Sequence, residues 1–329
     1  MKITAIICHH KGDLILKAIK SLKNQYKVDM EIIVATSDKD RTFFGTKTIY
    51  VQGGPAHKRN VAFRFVNTEY VAFFDDDIEA KPIAVFEMAS ILEKNKDIGM
   101  VFGKLLNMEF HDRFDEAGSY LTWSGFLWAR AESGCKDYGQ YEDALPILAG
   151  KSASCMIRSK VFSGIGLFDS SYEILGEETD LAWRVWLSGS SVFYVPSSVT
   201  LHAFNTKFKP TDFYNPKRVY FNGSRNYIQM LLTNLSKENL VVPLTTQFCV
   251  WFGAGMGMFL TGKFKAGYYI LKGLFWVLAN LKHILEKRDR VQSSRKISDK
   301  ELFLLIKRNP PISYYVNRFF HYIKTGRHG

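Results

Sequence analysis

The run Tyr70-Val71-Ala72-Phe73-Phe74-Asp75-Asp76-Asp77 sets five apolar residues directly before three carboxylates. A short, uninterrupted apolar run rich in aromatics reads as a buried parallel strand. Acids that emerge at its carboxyl end lie where open α/β sheets bind ligands. Side chains two apart on an extended segment point the same way, so Asp75 and Asp77 are placed to grip one cation together. A Mg²⁺-type ion takes one or two protein carboxylates and completes its shell with substrate phosphates and water. The chemistry indicated is a site for a metal-bound diphosphate. The same acids also suit the start of a helix, where negative charge is favoured, and this run alone leaves both readings open.

The elements that must position these acids follow a regular rhythm. Strands are predicted over 3–7, 31–35, 48–51, 70–74 and 99–102, and helices over 14–22, 58–66 and 83–92. Alternation of this kind argues for a parallel sheet covered by helices. The first strand ends in Cys8-His9-His10-Lys11-Gly12-Asp13, a turn at the same sheet edge as the three aspartates. Residues 105–150 are irregular and carry Tyr120, Trp123, Phe126 and Trp128. They read either as a substrate loop or as a small antiparallel strand set. A helical pattern returns over 181–187 and a strand over 191–195. The fold class is α/β, a Rossmann-like, mostly parallel sheet over residues 1–228, followed by a helical, membrane-associating region over 229–329.

Four segments fall in order along the chain. Thr4-Ala5-Ile6-Ile7-Cys8-His9-His10-Lys11 precedes Glu31-Ile32-Ile33-Val34. Gly53-Gly54-Pro55-Ala56-His57-Lys58-Arg59-Asn60 precedes Glu69 and the strand that ends in the aspartates. Residues 150–158 lead to Gly164-Ile165-Gly166-Leu167-Phe168-Asp169. Gly176-Glu177-Glu178-Thr179-Asp180-Leu181-Ala182-Trp183-Arg184 leads to Tyr194-Val195-Pro196 and His202. This ordered set resembles the family 2 inverting glycosyltransferases of GT-A fold, in particular their rhamnosyltransferase-like branch, over roughly residues 1–230.

The resemblance implies a nucleotide-sugar donor carrying UDP, dTDP or GDP, a divalent ion (Mg²⁺ or Mn²⁺) and one-step inversion at the anomeric carbon. Asp75-Asp76-Asp77 takes the place of the family's DxD element. Asp75 and Asp77 then become metal and ribose–diphosphate contacts, with Asp76 on the nucleotide beside them. His202 stands where a later metal ligand is often found, and Arg59 where an arginine approaches the diphosphate. Asp38 stands in for the acid that holds the nucleobase. His9 and His10 occupy the first turn, where they either contact the nucleotide or cap the chain reversal. Glu178 matches the position of the general base, which must take the acceptor hydroxyl's proton as it attacks. The family usually has Asp there, so Glu177 and Asp180 stand as alternatives. All three acids also suit the N-terminus of the following helix.

Other folds that place acids after a strand fit less well. A phosphatase of the haloacid dehalogenase type needs Thr or Val four residues after its first Asp, where this chain has Glu79. A nucleotidyltransferase needs a Gly-rich loop with Arg and Lys after the first strand, which residues 8–13 lack. A non-catalytic sugar-nucleotide or lipid-binding protein of the same fold is the remaining alternative. The Gln-x-x-Arg-Trp element of processive polysaccharide synthases is missing from the sequence, which argues for addition of a single sugar.

A net charge of +12 suits an anionic partner. The basic residues gather beside apolar helices rather than in a pattern that reads nucleic acid. Four scattered cysteines without metal or redox spacing fit a reduced, cytoplasmic setting. The apolar start at residues 3–7 is too short for a signal peptide and lacks a cleavage site, so none is expected there. Residues 240–260 carry no charge and, at 1.5 Å per residue, would extend about 31 Å as a helix. Pro243 and a basic tail weigh against a simple span. Residues 264–287, laid on one helix, gather Lys265, Lys272, Asn280, His283 and Lys287 on a single polar face. That pattern suits a helix in the membrane interface. The expected arrangement is attachment to the cytoplasmic face of the membrane, peripheral, re-entrant or through one to two segments. The expected acceptor is a glycan, polyprenyl-diphosphate-linked.

Overall fold

A computed structural model describes residues 1–203 and 217–325. Two compact units emerge. The first holds residues 1–119, 129–173 and 177–203. The second holds 120–128, 174–176 and the helices from residue 217 onward.

The first unit is built on a ten-stranded sheet. Its strands are β1 (Lys2–His9), β2 (Asp29–Thr36), β3 (Lys47–Tyr50), β4 (Tyr70–Asp75), β5 (Ile78–Ala80), β6 (Ile98–Asn107) and β7 (Phe114–Glu116), with β10 (Leu145–Pro146), β11 (Ser154–Arg158) and β12 (Ser191–His202). The order is β10-β12-β6-β11-β4-β1-β2-β3, with β5 on β12 and β7 on β6. The pairs β1–β2, β1–β4, β2–β3 and β6–β12 are parallel. β11 runs antiparallel to both β4 and β6. Six strands therefore run one way, and β11 is a reversed strand inserted among them. The mostly parallel sheet of the sequence analysis is present. Residues 105–150 hold β7, β10 and a two-stranded pair, β8 (Ser119–Leu121) with β9 (Leu127–Ala129). The antiparallel reading of that stretch is the one realised.

Alternation along the strands assigns their two faces. Ile3, Ala5 and Ile7 of β1 and Tyr70, Ala72 and Phe74 of β4 pack with α1 (Leu14–Lys23) and α3 (Ala84–Lys94). Their amphipathic spacing buries Ile15, Ile19 and Leu22 in α1, and Val85, Met88 and Leu92 in α3. Phe73 points to the other face, against Phe162 and Phe168. On this side Phe63 of α2 (Pro55–Phe63) packs edge-on against Phe162 of α4 (Ser159–Gly164), and α5 (Glu177–Leu187) follows along the chain. α2 starts at Pro55, three residues before the predicted helix, because proline at the first helical position has its φ already set and no N–H to lose.

The second unit is helical: α6 (Asn222–Asn234), α7 (Lys237–Leu260), α8 (Phe264–Ala279), α9 (Leu281–Ser293), α10 (Asp299–Ile306) and α11 (Ile312–Thr325). α7 is long and apolar enough to cross a membrane and is mostly exposed. Phe248, Phe252, Met256 and Leu260 form an exposed stripe at four-residue spacing along it. Its opposite side packs on α8, where Gly255 and Gly267 approach so closely that a Cβ on Gly267 would lie 2.8 Å from the Gly255 carbonyl. The single helix predicted over 264–287 is corrected here. The chain breaks at Asn280, whose side chain turns back to the Trp276 carbonyl at 2.8 Å, so 264–287 spans α8 and the start of α9. The break dissolves the single polar face, and Lys287 is buried rather than presented with Lys265 and Lys272.

Candidate active site

The carboxyl end of β4 delivers Asp75, and a two-residue turn delivers Asp76 and Asp77 before the chain re-enters the sheet as β5. β5 pairs antiparallel with the end of β12, with Ile78 opposite His202. The Ala203 N–H donates to the Asp77 carbonyl at 3.0 Å. This pairing carries His202 to the aspartates. Its Nε2 lies 3.1 Å from Asp77 Oδ1 and 3.8 Å from Asp75 Oδ2. Candidate ligand atoms of Asp75, Asp77 and His202 all fall within 4.8 Å of one another. Two carboxylates and an imidazole in this spacing form a donor set that suits a divalent cation. Burial opposes a charge on His202, but the Asp77 and Asp115 carboxylates outweigh it and push the imidazole up to about 9.

Asp115 is a residue that sequence patterns did not single out. It sits in β7, is 3% exposed, and accepts from His202 Nδ1 at 2.8 Å and from Lys151 Nζ at 2.7 Å. Burial alone would raise its carboxyl; Lys151 and then His202 hold it well below the usual range instead. No local motif marks Asp115, because only the β6–β7 and β6–β12 pairings bring it to His202.

Arg59 links the aspartates to the second acid cluster. It is 1% exposed on α2, donates to Asp75 Oδ1 at 3.0 Å and lies 3.6 Å from Glu177 Oε1. Its guanidinium stacks over Phe168 at 5.2 Å. The turn before α2 is tight. Gly53 has φ +118°, and a Cβ on Gly54 would meet the Glu173 carbonyl at 2.9 Å. That clearance needs glycine.

Glu177 and Glu178 open α5. Burial raises the pKa of both, Arg59 draws Glu177 back down, and Glu177's own charge pushes Glu178 further up. Two adjacent carboxyls in this position titrate as a pair. Asp180 stands apart from them. It is fully buried, accepts from Arg184 Nε at 2.9 Å, pairs ionically with Arg184 Nη2 at 2.9 Å, and lies 3.4 Å from the Tyr172 hydroxyl. Just before α5, Leu175 adopts φ +66° and Gly176 φ +90°. The Ile174 and Leu175 carbonyls accept from the Asn226 amide at 2.8 and 2.7 Å.

The remaining predicted donor contacts border the first turn. His9 is 1% exposed. Its Nδ1 pairs with the Thr36 hydroxyl at 2.9 Å and its Nε2 with the Gly12 carbonyl at 3.2 Å, so its ring caps the turn. Lys58 Nζ donates to the His9 carbonyl at 2.6 Å. The His10 N–H donates to Asp76 Oδ2 at 3.1 Å, tying the first turn to the aspartate run. Asp38 is exposed beyond the end of β2 and accepts from the Asp40 N–H. Asp75, Asp77, His202, Arg59 and Glu177 are thus joined by direct contacts, whereas Asp38 touches none of them among the described contacts.

Residues 4–116, which run from within β1 to the end of β7, match the glycosyl transferase family 2 model. No curated protein matches the chain in sequence. Among solved structures, the chain is similar to GalNAc-T7 with UDP, GalNAc and Mn²⁺, at 14% identity and a TM-score of 0.58. That match covers 96% of this chain and 57% of the GalNAc-T7 chain. S. aureus TarS also aligns, at 15% identity and a TM-score of 0.48, over 75% of this chain and 44% of that one. At 14% identity the likeness to GalNAc-T7 is one of fold, and this chain spans little more than half of its length. The α/β fold is thus shared with GalNAc-T7, and the family 2 likeness rests on the matched segment 4–116.

Proposed function

We propose that this chain transfers a single sugar, with inversion, from a nucleotide-diphosphate-sugar to a hydroxyl of a glycan acceptor. The observation that carries the reading is one connected site, in which Asp75, Asp77 and His202 are tied through Arg59 to the buried Glu177 and its half-buried neighbour Glu178. Asp75, Asp77 and His202 would hold the divalent ion, which supplies positive charge against the leaving diphosphate. Arg59 adds a fixed, permanently charged guanidinium on the same side. His9, Asp76 and Asp38 shape the donor turn, with Asp38 the exposed carboxylate toward the nucleobase.

Glu178 is the general base in this reading. Glu177 forms an ion pair with Arg59 at 3.6 Å and Asp180 with Arg184 at 2.9 Å, so Glu178 is the acid of the three that enters no ion pair among the described residues. Its raised pKa brings a carboxylate closer to working pH, where proton abstraction is more effective. The donor is a UDP, dTDP or GDP sugar, in keeping with the UDP and Mn²⁺ of the GalNAc-T7 structure.

The acceptor we favour is lipid-linked, carried on a polyprenyl diphosphate, in the assembly of cell-surface polysaccharide. The exposed apolar stripe of α7 and the net charge of +12 support attachment to an anionic membrane surface, on its cytoplasmic face. Of the basic residues just before the helical tail, Arg225 is buried and stacks on Phe221 and Trp276, whereas Arg218 is exposed and free to meet an acceptor phosphate.

Calorimetry of the detergent-purified protein against UDP, GDP and dTDP sugars, with Mn²⁺, Mg²⁺ or EDTA, tests the donor site. Binding of one nucleotide class that vanishes in EDTA is the expected result. Absence of binding in every metal-containing sample would refute the donor assignment.

A further inference from the structure

Asp115 lies between a cation and the histidine of the proposed metal site. One of its oxygens accepts from His202 Nδ1 at 2.8 Å and the other from Lys151 Nζ at 2.7 Å. Lys151 also lies 3.3 Å from the Asp115 carbonyl oxygen, so it grips both the side chain and the backbone of that residue. Asp115 and His202 are both buried, at 3% and 2% exposure. A carboxylate in that position is costly unless ionic partners surround it.

The consequence for His202 is directional. An imidazole that donates its Nδ1–H to a fixed carboxylate carries its lone pair, when neutral, on Nε2. Nε2 is the atom that faces Asp75 and Asp77, at 3.8 and 3.1 Å. Metal-bound histidines are commonly oriented by a carboxylate on their other nitrogen, and losing it costs metal affinity.

Building on the metal site proposed above, we propose that Asp115 and Lys151 are positioning residues for His202: Asp115 fixes the ring and its tautomer, and Lys151 holds Asp115 in place as a carboxylate. Neither residue touches the donor in this scheme. Both act through the histidine.

The test uses the full chain in detergent with Mn²⁺ as the probe, its free concentration read by electron paramagnetic resonance. Asp115→Asn keeps the shape and removes the charge. It is expected to weaken Mn²⁺ binding about 10- to 100-fold. Lys151→Met should weaken binding several-fold, and Lys151→Arg should restore it. A second readout is independent of metal. In ¹⁵N-histidine-labelled protein, the His202 Nδ1–H should appear as a downfield, slowly exchanging proton, assigned by its loss in His202→Gln. That proton should move upfield or vanish in Asp115→Asn, a change that a general loss of stability would not produce in a protein that remains folded. Wild-type affinity in Asp115→Asn, or an unchanged His202 proton, would overturn the positioning role while leaving the metal site standing. Failure of the wild type to bind Mn²⁺ at all would instead overturn the metal site, and this role with it.

Discussion

Replacing Arg59 with methionine isolates the link between the two acid clusters. The substitution keeps most of the side-chain volume and removes the guanidinium that sits 3.0 Å from Asp75 and 3.6 Å from Glu177. Breaking a buried ion pair from one side costs about 3–5 kcal/mol. Asp75 is 36% exposed at its side chain and partly screened, whereas Glu177 is 9% exposed. The lower end, about 3 kcal/mol, is therefore the expected loss near pH 8. The loss should depend on pH, with a definite sign. Burial raises Glu177's pKa above its unfolded value, and Arg59 partly offsets that rise. A carboxyl with a raised folded pKa binds a proton more tightly in the fold, so its penalty grows as pH rises from the unfolded value toward the folded one. Without Arg59 the folded pKa climbs further and the penalty continues to higher pH. The deficit of Arg59→Met should accordingly be largest near pH 8 and shrink as pH falls toward the ordinary carboxylate range, where protonation of Glu177 removes the pair. Hydrogen exchange of β4 and α5 peptides in EDTA measures the opening free energy locally, which suits a chain of two units. Equal deficits at the two pH values, or no deficit near pH 8, would refute the assigned electrostatics.

Glu178→Gln should abolish transfer while leaving metal-dependent donor binding intact; retained turnover would move the base elsewhere. In the wild type, kcat should rise with pH through a pKa above the ordinary carboxylate range, because the base acts deprotonated and burial, then Glu177, raises it. A profile flat from about pH 5 upward would count against that assignment. Asp180→Asn should cost about 3 kcal/mol of stability in the α5 region, since it strips the buried partner of Arg184, with donor affinity unchanged in protein that remains folded. Loss of donor binding in that folded variant would return Asp180 to the site. Serine at both Phe248 and Phe252, which are 43% and 48% exposed, should lower partitioning onto anionic vesicles about tenfold or more, at about 1.5–3 kcal/mol per buried side chain. Unchanged sedimentation with vesicles would rule out this stripe as the membrane contact.

Much of this architecture is written locally. The apolar run before Asp75 reads as a buried strand, because it is short, aromatic and without polar alternates, and the acids that follow it then emerge at its carboxyl end. The amphipathic spacing of α1 and α3 likewise sets which of their faces are buried. The acids at the start of α5 are equally plain, since a helix N-terminus accepts negative charge. The ordered segments brought His202 and Arg59 under suspicion without showing what either touches.

What only the tertiary structure decided are relations between distant strands and helices. β11 reads like any buried strand, and its reversed direction is set by pairing with β4 and β6 rather than by its own residues. Asp115 carries no sequence signal, yet β7 on β6 and β12 on β6 bring it to His202, and Lys151, just before β11, reaches it there. Among the acids of α5, Asp180 was separated from Glu178 only by Arg184, one helical turn onward and inside the fold. The break at Asn280 escaped a helical wheel because apolar periodicity continues across it while the backbone turns. Periodicity reports which side of an element is buried. Which charge neutralises which depends on contacts between elements far apart in the chain, and only folding supplies those.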